Sequence, residues 1–260
     1  MDFVCGRFAV TTDPALLAEK IKAIDEVTPV EQGQPAPNYP APNYNVAPTT
    51  AIATVVKRHS EPGDQSTRRV RLMRWGLVPP WVKQAADGGP DTKKAPLLIN
   101  ARAETVTTSN AFRSSAKTKR CLVPMDGWYE WMPTAKGPKT PFYMYGRDGE
   151  PLFMAGLWST WRPEHAPEGT APLLSCTIIT TDSVGPLAQI HDRMPLTISQ
   201  ADWDRWLDPD APIDEGLLRG HGDLDRIEVR EVSRLVNNVR NNGPELIAPA
   251  EPEPEQATLL

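Results

Sequence analysis

Phe142-Tyr143-Met144-Tyr145, the turn cluster Arg147-Asp148-Gly149, and then Leu152-Phe153-Met154-Ala155-Gly156-Leu157-Trp158 are the stretch that sets the fold class. Short apolar and aromatic runs separated by turn residues read as strands. The pattern continues outward on both sides. Ala51 to Lys57, Val70 to Trp75, Leu97 to Ile99 and Arg120 to Val123 precede it, Leu173 to Thr181 follows, and Asp87-Gly88-Gly89-Pro90 is a further turn signal. Few helical periodicities interrupt these runs. An alternating βαβ sheet needs a helix between successive strands, so the pattern predicts an α+β protein, with an antiparallel β-rich, barrel-like core and peripheral helices.

Three segments outside the strand runs have their own signals. Asp13-Pro14 supplies an N-cap acceptor and a proline at the first helical position, with Leu17, Ile21 and Ile24 following at helical spacing. Ser199-Gln200-Ala201-Asp202 resembles a capping box ahead of Trp203, Trp206 and Leu207, and Ile227 with Val229 alternates as a late strand. Pro29 to Pro48 is rich in proline and reads as an ordered loop without regular structure, pinned by Tyr39 and Tyr44.

With 260 residues, 40% of them hydrophobic, the chain can bury one sizeable core, and a single domain over residues 5–247 is expected. Residues 1–4 read as an extension that is removed or non-native, and residues 248–260 as a disordered Pro/Glu-rich tail. No run approaches the roughly 18 apolar residues of a membrane span, and Met1 to Val10 lacks a secretory pattern, so a cytoplasmic monomer is expected. Cys5, Cys121 and Cys176 are widely spaced with no CxxC, which argues against a disulfide framework, a zinc site or any other metal centre.

Charge is unevenly distributed. Residues 57–120 carry 14 Lys/Arg against 5 Asp/Glu, and residues 200–260 carry 6 against 14. The basic middle, with Arg68, Arg69, Arg71, Arg74, Arg102, Arg113, Lys117, Lys119 and Arg120, suits a phosphate backbone, although such a run also serves as a solvated face.

Four segments carry residues capable of chemistry. Cys5 in Val4-Cys5-Gly6-Arg7-Phe8 is either a small core residue or a reactive thiol beside an anion-holding arginine, whereas Cys121 and Cys176 sit in apolar runs and read as core. Asn100, Arg102 and Glu104 cluster where a buried strand turns polar; they line a pocket, or Asn100 caps a turn and Arg102 pairs with Glu104. Glu130 lies between Tyr129 and Trp131, where partial burial would raise its pKa, unless it points to solvent from a strand edge. His191 sits beside an Asp192/Arg193 couple, as a proton carrier or as a structural hydrogen-bonder; His59, His165 and His221 read as surface.

Together these segments resemble the SOS-response-associated peptidase (SRAP) family, whose members trap abasic sites covalently in single-stranded DNA. The resemblance runs in order through Cys5-Gly6-Arg7-Phe8, Tyr44-Asn45-Val46-Ala47-Pro48 and Trp75-Gly76-Leu77-Val78-Pro79-Pro80-Trp81, then Ile99-Asn100-Ala101-Arg102-Ala103-Glu104-Thr105 and Asp126-Gly127-Trp128-Tyr129-Glu130-Trp131. His191-Asp192-Arg193-Met194-Pro195, and Val232-Ser233-Arg234 leading to Asn238-Val239, complete it. It implies a reactive set of Cys5, Asn100, Glu130 and His191, with Arg7, Asn45, Trp75, Trp81, Arg102 and Ser109 along the DNA path. It also implies single-stranded DNA with abasic sites as partner, nucleoid association when bound, and no cofactor. Val82 departs from the family, many of whose members carry a second tryptophan there.

What the resemblance implies chemically is a thiazolidine formed by the amine and thiol of an N-terminal cysteine with the opened sugar, protecting the lesion during the DNA damage response. Four residues precede Cys5 and occupy that amine. Self-cleavage of the Val4-Cys5 bond frees it, as does translation starting at position 4, where a GTG codon can initiate in bacteria; the second route is favoured. The competing readings are a cysteine peptidase acting mainly by self-cleavage ahead of Cys5 and a non-covalent single-stranded DNA binding module.

Overall fold

Arg120–Met125 is buried at every position, so both of its faces must be covered, and it lies at the centre of the fold. The computed structural model describes residues 5–28, 39–92 and 97–251. Their strands are β1 (Arg7–Val10), β2 (Ile24–Asp25), β3 (Asn43–Val46), β4 (Ala51–Arg58), β5 (Thr67–Trp75), β6 (Asn100–Arg102), β7 (Arg120–Met125), β8 (Gly127–Met132), β9 (Thr140–Gly146), β10 (Leu152–Trp161), β11 (Leu173–Asp182), β12 (Arg193–Pro195) and β13 (Ile227–Glu231).

Strands β5, β4, β7, β10 and β11 pair in that order, and β11 returns to β5 through the parallel register Ser175↔Arg74 and Cys176↔Trp75. The ring is therefore a closed five-stranded barrel with no free edge among its members. Strands β2, β6 and β12 extend it from β5 and β11. The second sheet, in the order β13-β9-β8-β1-β3, is antiparallel throughout. The chain crosses between the two at Asp126, whose Oδ2 accepts from the Thr11 amide (2.8 Å) and hydroxyl (2.7 Å). It crosses back after Gly146, so Arg147-Asp148-Gly149 joins strands of different sheets instead of closing a hairpin.

Alternation along β7 and β10 sorts the core into two layers. Leu122, Phe153, Ala155 and Leu157 pack with Leu17 of helix α1 (Pro14–Lys20), Ala116 of α2 (Arg113–Thr118) and Trp206 of α3 (Trp203–Leu207). Their neighbours Cys121, Val123, Met154 and Trp158 pack on the other side with Cys5, Phe8, Trp128 and Met144 of the second sheet. The period-2 strand geometry thus gives one ring both a helix-covered face and a face shared with the site.

Helix α1 starts as expected, with Asp13 Oδ1 accepting from Ala15 and Leu16. Other expectations need correction. Ser199 does not cap backbone; its hydroxyl donates to the Asp202 carboxylate (2.9 Å), and a 3-10 turn leads into α3. Within the loop expected over Pro29 to Pro48, Asn43–Val46 forms β3, because β1 offers a free edge for it (Phe8↔Val46); residues 29–38 lie outside the described residues. The strand expected at Leu97 to Ile99 begins instead at Asn100, where β6 meets β11 in parallel register. Residues 1–4 and 252–260 also fall outside the described residues, but Ala250 still donates to Glu231 O, so ordered pairing extends beyond residue 247. No described helix is long and apolar enough to cross a membrane.

Candidate active site around Cys5 and Glu130

Strand β1 is paired on both sides, with β8 through Arg7↔Tyr129 and with β3, and this brings the residues just ahead of β1 against the middle of β8. Cys5 is fully buried, with a positive φ of 45° that side chains rarely adopt. Its backbone N–H donates to Glu130 Oε1 at 2.6 Å. Glu130 is 1% exposed, so the solvent-facing alternative is excluded. Burial, helped by the nearby Asp192 charge, raises its pKa to about 8 against the opposing pull of the Cys5 N–H and of Lys139. The Cys5 thiol is pushed well above its ordinary value by burial and by the Glu130 charge. At neutral pH the pair is therefore a largely neutral carboxyl beside a protonated thiol.

Asn100 and His191 belong to the barrel's extension strands, Asn100 on β6 and His191 just ahead of β12. Asn100 opens β6, and Ile99 beside it belongs to the apolar cluster of Cys5; so does Ile190, next to His191. The half-buried His191 ring has Nδ1 3.0 Å from the Arg193 N–H and 2.9 Å from Asp192 Oδ1. These partners exclude one another: the amide donates to an unprotonated Nδ1, and the carboxylate requires a protonated one. The Asp192/Arg193 couple expected from sequence is absent. Arg193 instead grips Glu104 and Asp182, so the hydrogen bonds of Glu104 go to Arg193, with Arg102 acting on it only as a nearby charge.

The residues assigned to a DNA path divide. Trp81 is 63% exposed, Arg102 is exposed and Ser109 is half-buried. Trp75 is fully buried, donates Nε1 to Ile99 O and packs edge-on against Phe8 at 4.9 Å, so its ring cannot reach a base. Asn45 is buried too: Nδ2 donates to the carbonyls of Val236 (3.3 Å), Asn238 (3.0 Å) and Asn241 (3.0 Å), and Oδ1 accepts from Arg7 Nη1 (2.6 Å). Arg7 Nη1 also donates to Val236 O. Asn45 therefore fastens the 236–241 segment to β1. Val82 is buried under Trp161, whose Nε1 donates to its carbonyl.

Much of the basic run is engaged internally. Arg68 pairs with Asp204, Arg69 and Arg71 with Glu26, and Arg120 donates to the carbonyls of Trp206, Ala116, Lys117, Asp208 and Ala211. Sequence reasoning missed Lys139 and Asp192 as neighbours of Glu130; Asp192 was legible beside His191, whereas nothing marked Lys139. Among the described residues no group of three or more His, Cys, Asp or Glu is placed to hold a metal.

The SRAP model, SOS response associated peptidase, matches residues 4–239. The abasic site processing protein YoqW of Bacillus subtilis is 37% identical over 247 residues, covering 94% of this chain and 99% of the relative. The abasic site processing protein HMCES of Xenopus tropicalis is 32% identical over 275 residues, covering 94% and 78%. A crystal structure of a Bacteroides thetaiotaomicron protein superposes with a TM-score of 0.75 at 24% identity, covering 95% of this chain and 100% of the other, and shows the same fold. On its sequence match along most of its length, this chain belongs to the SOS response associated peptidase (SRAP) family.

Proposed function

We propose that this protein recognises abasic sites in single-stranded DNA and traps them as a thiazolidine through Cys5, once Cys5 carries a free α-amine. The observation that carries the reading is the 2.6 Å contact between the Cys5 nitrogen and a buried carboxyl group with a pKa near 8. An α-amine has an ordinary pKa of about 8. A free α-amine in that place lies within hydrogen-bond reach of the carboxyl, the geometry that a proton transfer between them requires.

The sequence of steps follows from that placement. The neutral amine attacks the aldehyde of the opened sugar, Glu130 relays protons between nitrogen and departing oxygen, and water leaves as the Schiff base forms. The thiol then adds to the imine carbon, its proton passes to the nitrogen, and the five-membered ring closes. Closure is intramolecular, which gives a persistent adduct where a lysine would give a reversible imine. His191 protonates the opened sugar oxygen, and Asn100 orients the cysteine amine or a sugar hydroxyl. Arg7 and Arg102 hold flanking phosphates, Trp81 stacks on a neighbouring base, and Ser109 lines the path. The relatives' names, abasic site processing protein, support the substrate. A cysteine peptidase acting on other chains works through a resident thiolate, and the raised pKa of the Cys5 thiol disfavours one.

The test is incubation of a chain beginning at Cys5 with a single-stranded oligonucleotide carrying one abasic site, read on a denaturing gel. A heat-stable shifted band is expected, lost in Cys5→Ser while undamaged single strands still bind. A shifted band that survives Cys5→Ser overturns the reading, and binding without any adduct reduces the protein to a non-covalent module.

A further inference from the structure

Arg193 is an arginine whose side chain is only 7% exposed. Its Nη1 and Nη2 fork onto the two oxygens of Glu104 at 2.8 and 2.9 Å, Nη1 also reaches Asp182, and Nη2 donates to Thr180 O at 2.7 Å. These partners belong to three places in the barrel: Glu104 in the turn that follows β6, and Thr180 and Asp182, two residues apart at the end of β11. The backbone agrees with the side chain, because Arg193 sits opposite Asp182 in the β11–β12 ladder and Ala103 donates to Thr180 O. A buried guanidinium held bidentately and at four points has little rotational or translational freedom left.

That rigidity is passed to His191 through the main chain. The Arg193 N–H donates to His191 Nδ1, and the His191 N–H donates to Leu187 O at 3.1 Å. A backbone N–H can only donate, so a neutral ring in this contact holds its lone pair on Nδ1 and its proton on Nε2. Moving the proton to Nδ1 gives up the amide contact in favour of the Asp192 carboxylate, which lies 2.9 Å from the same nitrogen but is 86% exposed to competing water.

We infer that the Glu104–Arg193–Asp182 clamp is a positioning device: by immobilising the Arg193 amide it fixes His191 as the Nε2–H tautomer and so as a proton donor. Arg193 is a positioning residue here, not a catalytic one. The assignment of a donor's role to His191 rests on the function proposed above; the tautomer does not.

The experiment uses protein labelled with 15N in histidine and beginning at Cys5, with ring nitrogen shifts recorded at alkaline pH. Single-turnover adduct formation with abasic single strands is measured in parallel. The parent should show one tautomer, protonated at Nε2. Glu104→Gln combined with Asp182→Asn should give a tautomer mixture and slow adduct formation on the order of 10- to 100-fold, the scale of a misplaced catalytic group. Affinity for undamaged single strands should not fall, because negative charge has been removed. Arg193→Lys keeps the charge but loses the fork, and should slow the reaction on the same scale. Folding of each variant is checked by its melting transition, and the separate Glu104→Gln and Asp182→Asn variants replace any that fail to fold. A parental Nδ1–H tautomer, or a double variant that keeps the Nε2–H tautomer or the parental rate, overturns the inference. If the parent forms no adduct at all, the proposed function fails while the tautomer still decides the clamp.

Discussion

Strands β4, β10 and β11 of the barrel run 8, 10 and 10 residues and are buried along most of their length, whereas β1 and β3 of the second sheet have 4 residues each. Long apolar strands closed into a ring hold together through burial that is spread over many residues. Strands as short as β1 and β3 cannot do this, and that edge of the second sheet is fastened at single points: Asp126 to Thr11, Asn45 to Arg7 and three carbonyls, Cys5 to Glu130. The comparison shows how a rigid scaffold and an adjustable site share one core. Polar groups such as Asn45 and Glu130 sit where the backbone depends on them, and the ring supplies burial that they do not.

The sharpest attempt to break this contrast is Trp75→Ala, since Trp75 lies on a ring strand yet packs against Phe8 of the sheet. Emptying so large a buried site should cost about 3–5 kcal/mol in denaturant melts. A loss below about 1 kcal/mol would mean that the two regions do not share a core.

Next in size is the pH dependence of Glu130. Its pKa rises from 4.5 unfolded to about 8 folded, so between these values the folded state binds the extra proton. Stability is then fully present below about pH 4.5 and falls as pH rises through 8, by up to a few kcal/mol. Glu130→Gln should abolish that slope, leaving the variant more stable than the parent at pH 8 and close to it at pH 5. It should also slow adduct formation while barely changing affinity for undamaged strands. Parallel melting curves against pH for the two proteins would place the carboxyl outside the buried site.

Asn45→Ala should follow at about 2 kcal/mol, because it strands carbonyls of the 236–241 segment and one arm of Arg7. A double-mutant cycle with Arg7→Ala should show coupling above about 0.5 kcal/mol. Strict additivity would remove the single-point picture of the sheet. The smallest effect on stability belongs to Trp81→Ala, within about 0.5 kcal/mol for an exposed ring. Its affinity for single strands should nevertheless fall about fivefold, the low end of one lost base stack; unchanged affinity argues that the ring is not on the path.

Trp75 and Trp81 also show where sequence reading stops. Both stand in one motif six residues apart, and nothing in their local pattern distinguishes a core ring from an exposed one. Asn45 is a similar case: the family resemblance puts it on the DNA path, but it holds carbonyls of residues almost two hundred positions away. Arg193 reads as the partner of Asp192 by adjacency, yet bonds Glu104, 89 positions upstream.

Strand content, the α1 N-cap and the buried Cys121 and Cys176 were legible in the sequence, because period-2 alternation, capping chemistry and apolar runs act over a few neighbouring residues. So were the seven motifs that carry the family resemblance. Tertiary structure alone decided that β11 closes on β5 in parallel, that Glu130 is buried against the Cys5 nitrogen, and which tryptophan faces outward. Register, burial and the pKa that follows from burial depend on what the rest of the chain packs against a residue, and local sequence does not encode that partner.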